Sequence, residues 1–321
     1  MKSVAIMTSG GDAAGMNPAV KCAVEYARSR DVEPFLVYDG LRGLIDGSIK
    51  AASDVDLSGM LHRGGTLLRT ARSKRFHSHE HREAATRNLE ARGIEKLLVI
   101  GGDGSFQGLN QLHADFGVPF VGIPATIDND IAGTDYCLGV DTALNVICRA
   151  TDSLRDTAAS MRRAFVVEVM GRNCGYLAMV SSLASGAEIC LVPEIPYDLA
   201  AIDRRLQSRV EEGTRSIFAI VAEGTRYADH LTRWFNDTLN VESRMTVLGH
   251  VQRGGSPTVY DRLMAYKFAV AAIEALLDGE DNSIIVHRRG AGFSRLPVHE
   301  VVEGKKEIDP MLMELCRPLC G

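Results

Sequence analysis

The chain has 321 residues, 45% of them hydrophobic, enough for a large core divided over two domains. Its formal net charge of −5 argues against a nucleic-acid partner but not against anionic small molecules held by a few focused arginines. No apolar run approaches the roughly 18 residues that cross a bilayer, and the first residues do not read as a secretory signal. The seven cysteines lack zinc-ligand spacing, so reduced thiols and a cytoplasmic setting are expected. Cys316 and Cys320 stand one helical turn apart, but two thiols alone make no metal site.

Val4–Met7 reads as a strand, followed by the glycine loop Thr8–Gly15 and a helix with Asn17 as N-cap and Pro18 at its first position. Lys96–Ile100 is a second strand, running into Gly101-Gly-Asp-Gly-Ser105 and another helix. The apolar run Val118–Ile123 reads as a buried strand, and a helix follows over Thr142–Arg155. Strands are expected at Phe165–Val169, Ile189–Val192, Ile217–Ala222 and Met245–His250. They alternate with helices at Gly175–Ser185, Leu199–Glu212, His230–Leu239 and Thr258–Leu277. Such alternation implies an α/β protein with parallel sheets covered by helices on both faces.

The most telling stretch is Pro124-Ala-Thr-Ile-Asp-Asn-Asp-Ile-Ala-Gly-Thr-Asp135. Asp128 and Asp130 emerge just after a buried strand, where α/β proteins hold their ligands. Carboxylates grouped there without Lys or Arg suit proton abstraction beside a metal-bound phosphate. Both glycine loops follow a strand and open a helix, so backbone N–H groups and the helix dipole can cradle phosphate. Neither a dinucleotide fingerprint nor a Walker lysine is present. Asp103, flanked by glycines, suggests Mg²⁺ between its carboxylate and phosphate oxygens. Arg72, Arg163, Arg172, Arg244 and Arg253 lie near strand ends or glycines, where guanidinium groups can clamp phosphate; His250 lies in the same stretch as Gln252-Arg-Gly-Gly255.

Together these residues resemble the ATP-dependent 6-phosphofructokinase family of bacterial type. The matching stretches are Thr8-Ser-Gly-Gly-Asp12, Gly101-Gly-Asp-Gly-Ser105, Thr126-Ile-Asp-Asn-Asp130, Gly133-Thr-Asp135, Val166-Val-Glu-Val-Met-Gly-Arg172 and Leu248-Gly-His-Val-Gln-Arg-Gly-Gly-Ser-Pro257. The resemblance implies two Rossmann-like three-layer domains with mostly parallel sheets and an active site in the cleft between them. Residues 1–139 plus 252–302 would bind ATP and Mg²⁺, and 140–251 plus 303–321 the sugar phosphate. It further implies transfer of the γ-phosphate of ATP to the 1-hydroxyl of fructose 6-phosphate, with Asp128 as base and Asp130 supporting it. Thr126, Arg172 and Arg72 would stabilise the transferring group. Asp103 would hold Mg²⁺, and Gly11, Arg72, Ser73, Gly102, Gly104 and Ser105 would line the nucleotide site. The sugar phosphate would contact Thr126, Ile127, Met170, Gly171, Glu223, His250, Val251, Gln252 and Arg253. Arg163 and Arg244 would complete a neighbour's site in a homotetramer.

The chain departs from that family in places. Pyrophosphate-using relatives carry aspartate at the position of Gly104 and lysine at that of Ala125, so ATP is favoured here. Ala125, Ala14 and Leu41-Arg42 replace residues usual near the nucleotide. At the family's effector site Lys21, Arg155 and Glu188 keep suitable character, but Glu25, Asp54 and Thr214 stand where basic residues are usual, which predicts weak or absent effector control. A pyrophosphate-dependent enzyme and a kinase of a related sugar phosphate are the alternatives.

Overall fold

In the computed structural model, residues 1–213 and 216–321 are described. Thr214, one of the positions compared above with the family's effector site, therefore lies outside the described residues. The chain divides into two compact units: Met1–Ile127, Ile131–Thr142 and Arg253–Lys306 form the first; Asp128–Asp130, Ala143–Gln252 and Glu307–Gly321 form the second.

The first unit contains the strands β1 (Ser3–Ser9), β2 (Glu33–Val37), β3 (Ile49–Ala51), β4 (Lys96–Gly101) and β5 (Phe120–Pro124). Its helices are α1 (Met16–Ser29), α2 (Gly40–Asp46), α3 (His79–Glu90), α4 (Asp103–Phe116) and the first residues of α5 (Val140–Met161). The second unit takes the rest of α5, then β6 (Ala164–Val169), α6 (Tyr176–Ser185), β7 (Ile189–Leu191), α7 (Leu199–Glu211), β8 (Ile217–Ala222), α8 (Ala228–Asp237) and β9 (Ser243–Val247). The chain returns to the first unit as α9 (Val259–Leu277), β10 (Ser283–Arg288), β11 (Gly292–Pro297) and α10 (Val298–Glu303), and ends in the second as α11 (Pro310–Cys320).

Among the described residues the first unit's sheet has the order β11-β10-β5-β4-β1-β2-β3. Its centre is parallel, while β3 and β11 pair antiparallel at the two edges. From β1 the chain moves one way along the sheet, and from β4 the other. Right-handed crossovers therefore place α1 and α4 on opposite faces. α1 packs on α9, and Ala19, Ala23 and Ala27 of the one and Ala265, Ala269 and Ala272 of the other are all fully buried. The second sheet is parallel, with the order β7-β8-β6-β9. Val166, Ile189, Ile217 and Val221 pack on Ile202 and Leu206 of α7 and on Leu231 and Phe235 of α8, while α6 and α11 pair with each other. Each such fully buried large side chain contributes about 1.5–3 kcal/mol.

Local chemistry moved several expected boundaries. Asn17 is not the N-cap of α1; Gly15 takes that position at φ 99°. Asn17 is buried in the first turn, where its amide donates to the carbonyls of Arg63 and Gly64 and its oxygen accepts from Leu67 N–H at 2.6 Å. The strand expected to reach His250 stops at Val247, and Gly249–Arg253 forms a 3₁₀ turn. Cys316 and Cys320 are buried, and both thiols donate to backbone carbonyls, those of Met179 and Cys190. No helix of the described residues is long and apolar enough to cross a membrane.

Candidate active site

Strand register brings the first unit's loops together. Ser9 pairs with Gly101, and Gly101 with Pro124, so the glycine loops and the acid loop all leave the carboxyl edge of neighbouring strands. Ser105 on α4 donates to the hydroxyl of Ser9 at 2.8 Å, and Thr70 donates to the Gly10 carbonyl at 2.6 Å. The basic loop that carries Arg72 and Ser73 is thereby tied to the first glycine loop. Arg72 is exposed and Ser73 half-buried.

The glycines here differ in what surrounds them. A Cβ on Gly11 would fall 2.1 Å from Nη1 of Arg253, which lies in the same unit and pairs with Asp12 at 3.9 Å. Arg253, expected among the sugar-phosphate contacts, therefore sits against the first glycine loop. A Cβ on Gly104 meets no atom within 4 Å. Gly102 occupies the N-cap position of α4, and Asp103, half-buried in its first turn, accepts from Gln107 at 2.7 Å. Among the described residues no group of three or more His, Cys, Asp or Glu side chains could hold a metal ion.

The acid loop is closed at its neck, where Ala125 bridges to Leu138 and Leu138 N–H donates to the Pro124 carbonyl at 2.9 Å. Its return limb is clamped. Thr134 and Asp135 bond to the backbone of His287, Arg289 N–H donates to Asp135, and Lys306 donates to the Thr134 carbonyl. Asp135 is thus a tether. Tyr136 donates its hydroxyl at 2.5 Å to the fully buried Asp261, which also accepts from the N–H groups of Gly139 and Thr142. Burial pushes the Asp261 carboxyl above the usual range against the pull of these donors. Thr126 and Asp130 are half-buried and Ile127 is buried.

Asp128 belongs to the second unit, is 1% exposed, and lies 3.2 Å from Nε of Arg172. Arg172 is held in a left-handed conformation, φ 52°, after Gly171 at φ 134°. Its N–H donates to Glu223 at 2.9 Å, and its carbonyl lies 2.0 Å from where a Cβ on Gly224 would sit. In this sheet Val169 pairs with Ala222, and Glu168 with Val247, so the turns at 170–172, 223–226 and 248–252 leave one carboxyl edge. Met170 N–H donates to the buried Gln252, which in turn donates to the Gly249 carbonyl. His250 and Val251 are exposed. Burial first, and then the charge of Glu223, raises the carboxyl pKa of Glu168. Arg172, Asn173, Glu223, Gly224 and Arg226 line an open cavity of about 390 Å³. Asn173 and Arg226 were missed from sequence. Arg226, three residues after Glu223 and at φ 56°, had a signal in the Glu-Gly-Thr-Arg turn.

Arg163 and Arg244 are not at this edge. Arg163 immediately precedes β6 and Arg244 is the second residue of β9, while the cavity lies past the far ends of both strands, roughly 15–20 Å along the sheet. Of the effector-site positions, Lys21 pairs with Glu25, and Arg155 donates to the carbonyls of Ser185 and Gly186 and covers the Phe218 ring. Glu188 accepts from Phe218 N–H at 2.8 Å, and Asp54 is exposed beside Ser53, whose hydroxyl it accepts at 3.1 Å.

The phosphofructokinase family profile matches residues 3–276. The ATP-dependent 6-phosphofructokinase of Sulfurimonas denitrificans is 51% identical over 314 residues, 98% of each chain. That of Thermotoga neapolitana is 48% identical over 320 residues, 99% of this chain and all of that one. The phosphofructokinase structure from Saccharomyces cerevisiae aligns with a TM-score of 0.88 at 34% identity, over 94% of this chain but only 45% of the yeast one. A pyrophosphate-dependent phosphofructokinase from Marinobacter aquaeolei, 22% identical, shares the fold with a TM-score of 0.86 over 100% of this chain and 92% of its own. With family motifs in order along the chain and half its residues shared with a full-length relative, the chain belongs to the phosphofructokinase family.

Proposed function

We propose that this chain is an ATP-dependent 6-phosphofructokinase of the cytoplasm, converting fructose 6-phosphate to fructose 1,6-bisphosphate. The observation that carries the reading is the Asp128–Arg172 pair: a buried carboxylate on the acid loop, paired with a guanidinium beside an open cavity. Asp128 takes the proton of the sugar 1-hydroxyl as that hydroxyl oxygen attacks the γ-phosphorus and the bond from the γ-phosphorus to the β,γ-bridging oxygen breaks, releasing ADP; Asp130 supports the charge of that base. Arg172, Thr126 and Arg72 stabilise charge on the transferring group. Such transfer needs positioning and charge stabilisation more than covalent chemistry.

Gly11, Ser73, Gly102, Gly104 and Ser105 belong to the nucleotide half of this reading, where backbone comes close to phosphate. Asp103 fits Mg²⁺ as a single carboxylate ligand, because that ion takes one or two carboxylates and completes its shell with phosphate oxygens and water. When bound, the ion neutralises phosphate charge. Met170, Gly171, Glu223, His250, Val251, Gln252 and Arg253 hold the sugar phosphate. Arg163 and Arg244, remote along the sheet from their own chain's cavity, serve the 6-phosphate of a neighbouring subunit in a homotetramer. Gly104, Ala125 and the ATP-dependent relatives favour ATP over pyrophosphate as donor.

The test is a coupled assay of ATP and of pyrophosphate against fructose 6-phosphate, with and without Mg²⁺. Turnover with ATP only, dependent on Mg²⁺, is expected. Turnover with pyrophosphate alone, or with neither donor, would overturn the reading.

A further inference from the structure

At the amino edge of the second sheet one carboxylate holds two guanidinium groups. Nε of Arg163 lies 2.8 Å from one oxygen of Glu242, and Nη2 of Arg244 lies 2.5 Å from the other. Parallel strand pairing builds this fork. Ala164 is opposite Ser243, and Ala164 N–H donates to the Glu242 carbonyl at 2.9 Å, so the residues just before β6 and β9 stand side by side. Nη1 of Arg244 is further fixed by the Ser243 carbonyl at 3.0 Å.

Two like charges on adjacent strands repel, and each long side chain has many rotamers to lose on binding an anion. A carboxylate between them removes both costs before the ligand arrives. The ion pair lies on the Nε side of Arg163, without the angle of a hydrogen bond there, so the guanidinium's terminal nitrogens can turn to a phosphate. We propose that Glu242 is a positioning residue, holding Arg163 and Arg244 as a preformed clamp for the 6-phosphate of fructose 6-phosphate. Arg163 in turn holds the Glu242 carboxyl below the usual range, so the fork stays ionised at neutral pH.

The inference rests on the role proposed above for the two arginines, so they form the first arm of the test. Arg163→Ser and Arg244→Ser are assayed beside Glu242→Ala and Glu242→Gln for kcat, for KM of each substrate and for assembly state by sedimentation. Glu242→Ala is expected to raise KM for fructose 6-phosphate about tenfold, the loss of one charge-assisted contact's worth of preorganisation, with kcat and KM for ATP within about twofold. Glu242→Gln, which keeps an acceptor but no charge, should fall between. If the arginine variants raise KM and Glu242→Ala does not, or lowers it, Glu242 is no positioning residue. If the arginine variants leave KM unchanged, the phosphate role of those arginines fails instead, and the clamp with it. Should Glu242→Ala alter the assembly, the isosteric Glu242→Gln is judged by the same KM criterion.

Discussion

The two units present different kinds of ligand edge. At the carboxyl edge of the first sheet glycines, hydroxyls and N–H groups stand beside a few charged groups such as Asp12 and Asp103, with Gly11 against Arg253 and Gly104 facing open space. At the equivalent edge of the second sheet they are charged side chains: Arg172, which meets Asp128 of the acid loop, and Glu223 on the Arg172 backbone. Backbone donors suit a polyphosphate that must come close along its length, because they bring dipoles without bulk. Charged side chains suit a reacting centre where charge develops and a proton moves. The first edge should therefore fail through added volume, and the second through lost charge.

Four substitutions sharpen that contrast. The largest effect is expected at Asp128→Ser, which should lower kcat about 10²–10⁴-fold while leaving sugar-phosphate affinity near normal. Near-normal turnover would remove Asp128 as the base. Next, Gly104→Asp should leave thermal stability within a few degrees, since its Cβ meets no protein atom. The same change should weaken ATP use by an order of magnitude or so, through bulk and charge beside phosphate. Unchanged KM for ATP would show that this open space is not nucleotide space.

Tyr136→Phe removes one donor to the buried Asp261 and should cost about 1–3 kcal/mol, read as a lower midpoint in urea. A parent-like midpoint would mean that the clamp on the acid loop's return limb does not depend on this bond. The smallest effect concerns Glu168. Its raised pKa means that the folded state favours the protonated carboxyl, so its contribution to stability is present below the ordinary glutamate range and is lost as pH rises through the raised value. Glu168→Gln should thus melt slightly above the parent at pH 8, with the difference closing toward pH 4. A difference that grows as pH falls would contradict that sign.

Much of this was legible from residue order. The βα alternation gave the fold class, and the acid loop and two glycine loops stood out because their residue types suit phosphate and poorly suit ordinary turns. What the pattern did not carry was anything set by contacts distant in sequence. Asn17 looked like a cap because Asn before Pro usually is one, but its amide is spent on the loop at 63–67. The edge strands β3 and β11 are short or solvent-facing, so their hydrophobic periodicity is weak.

The sequence by itself determined which chemistry is available: carboxylates after a buried strand, glycines where phosphate must approach, and a small set of arginines. Only the tertiary structure decided how those groups are shared out. Loop packing put Arg172 beside Asp128 and Arg253 against Gly11, and strand register put Arg163 and Arg244 together on Glu242 at the far end of their sheet. The reason is that residue type is a local property, whereas which charges meet depends on strand order and direction, fixed by the packing of whole layers.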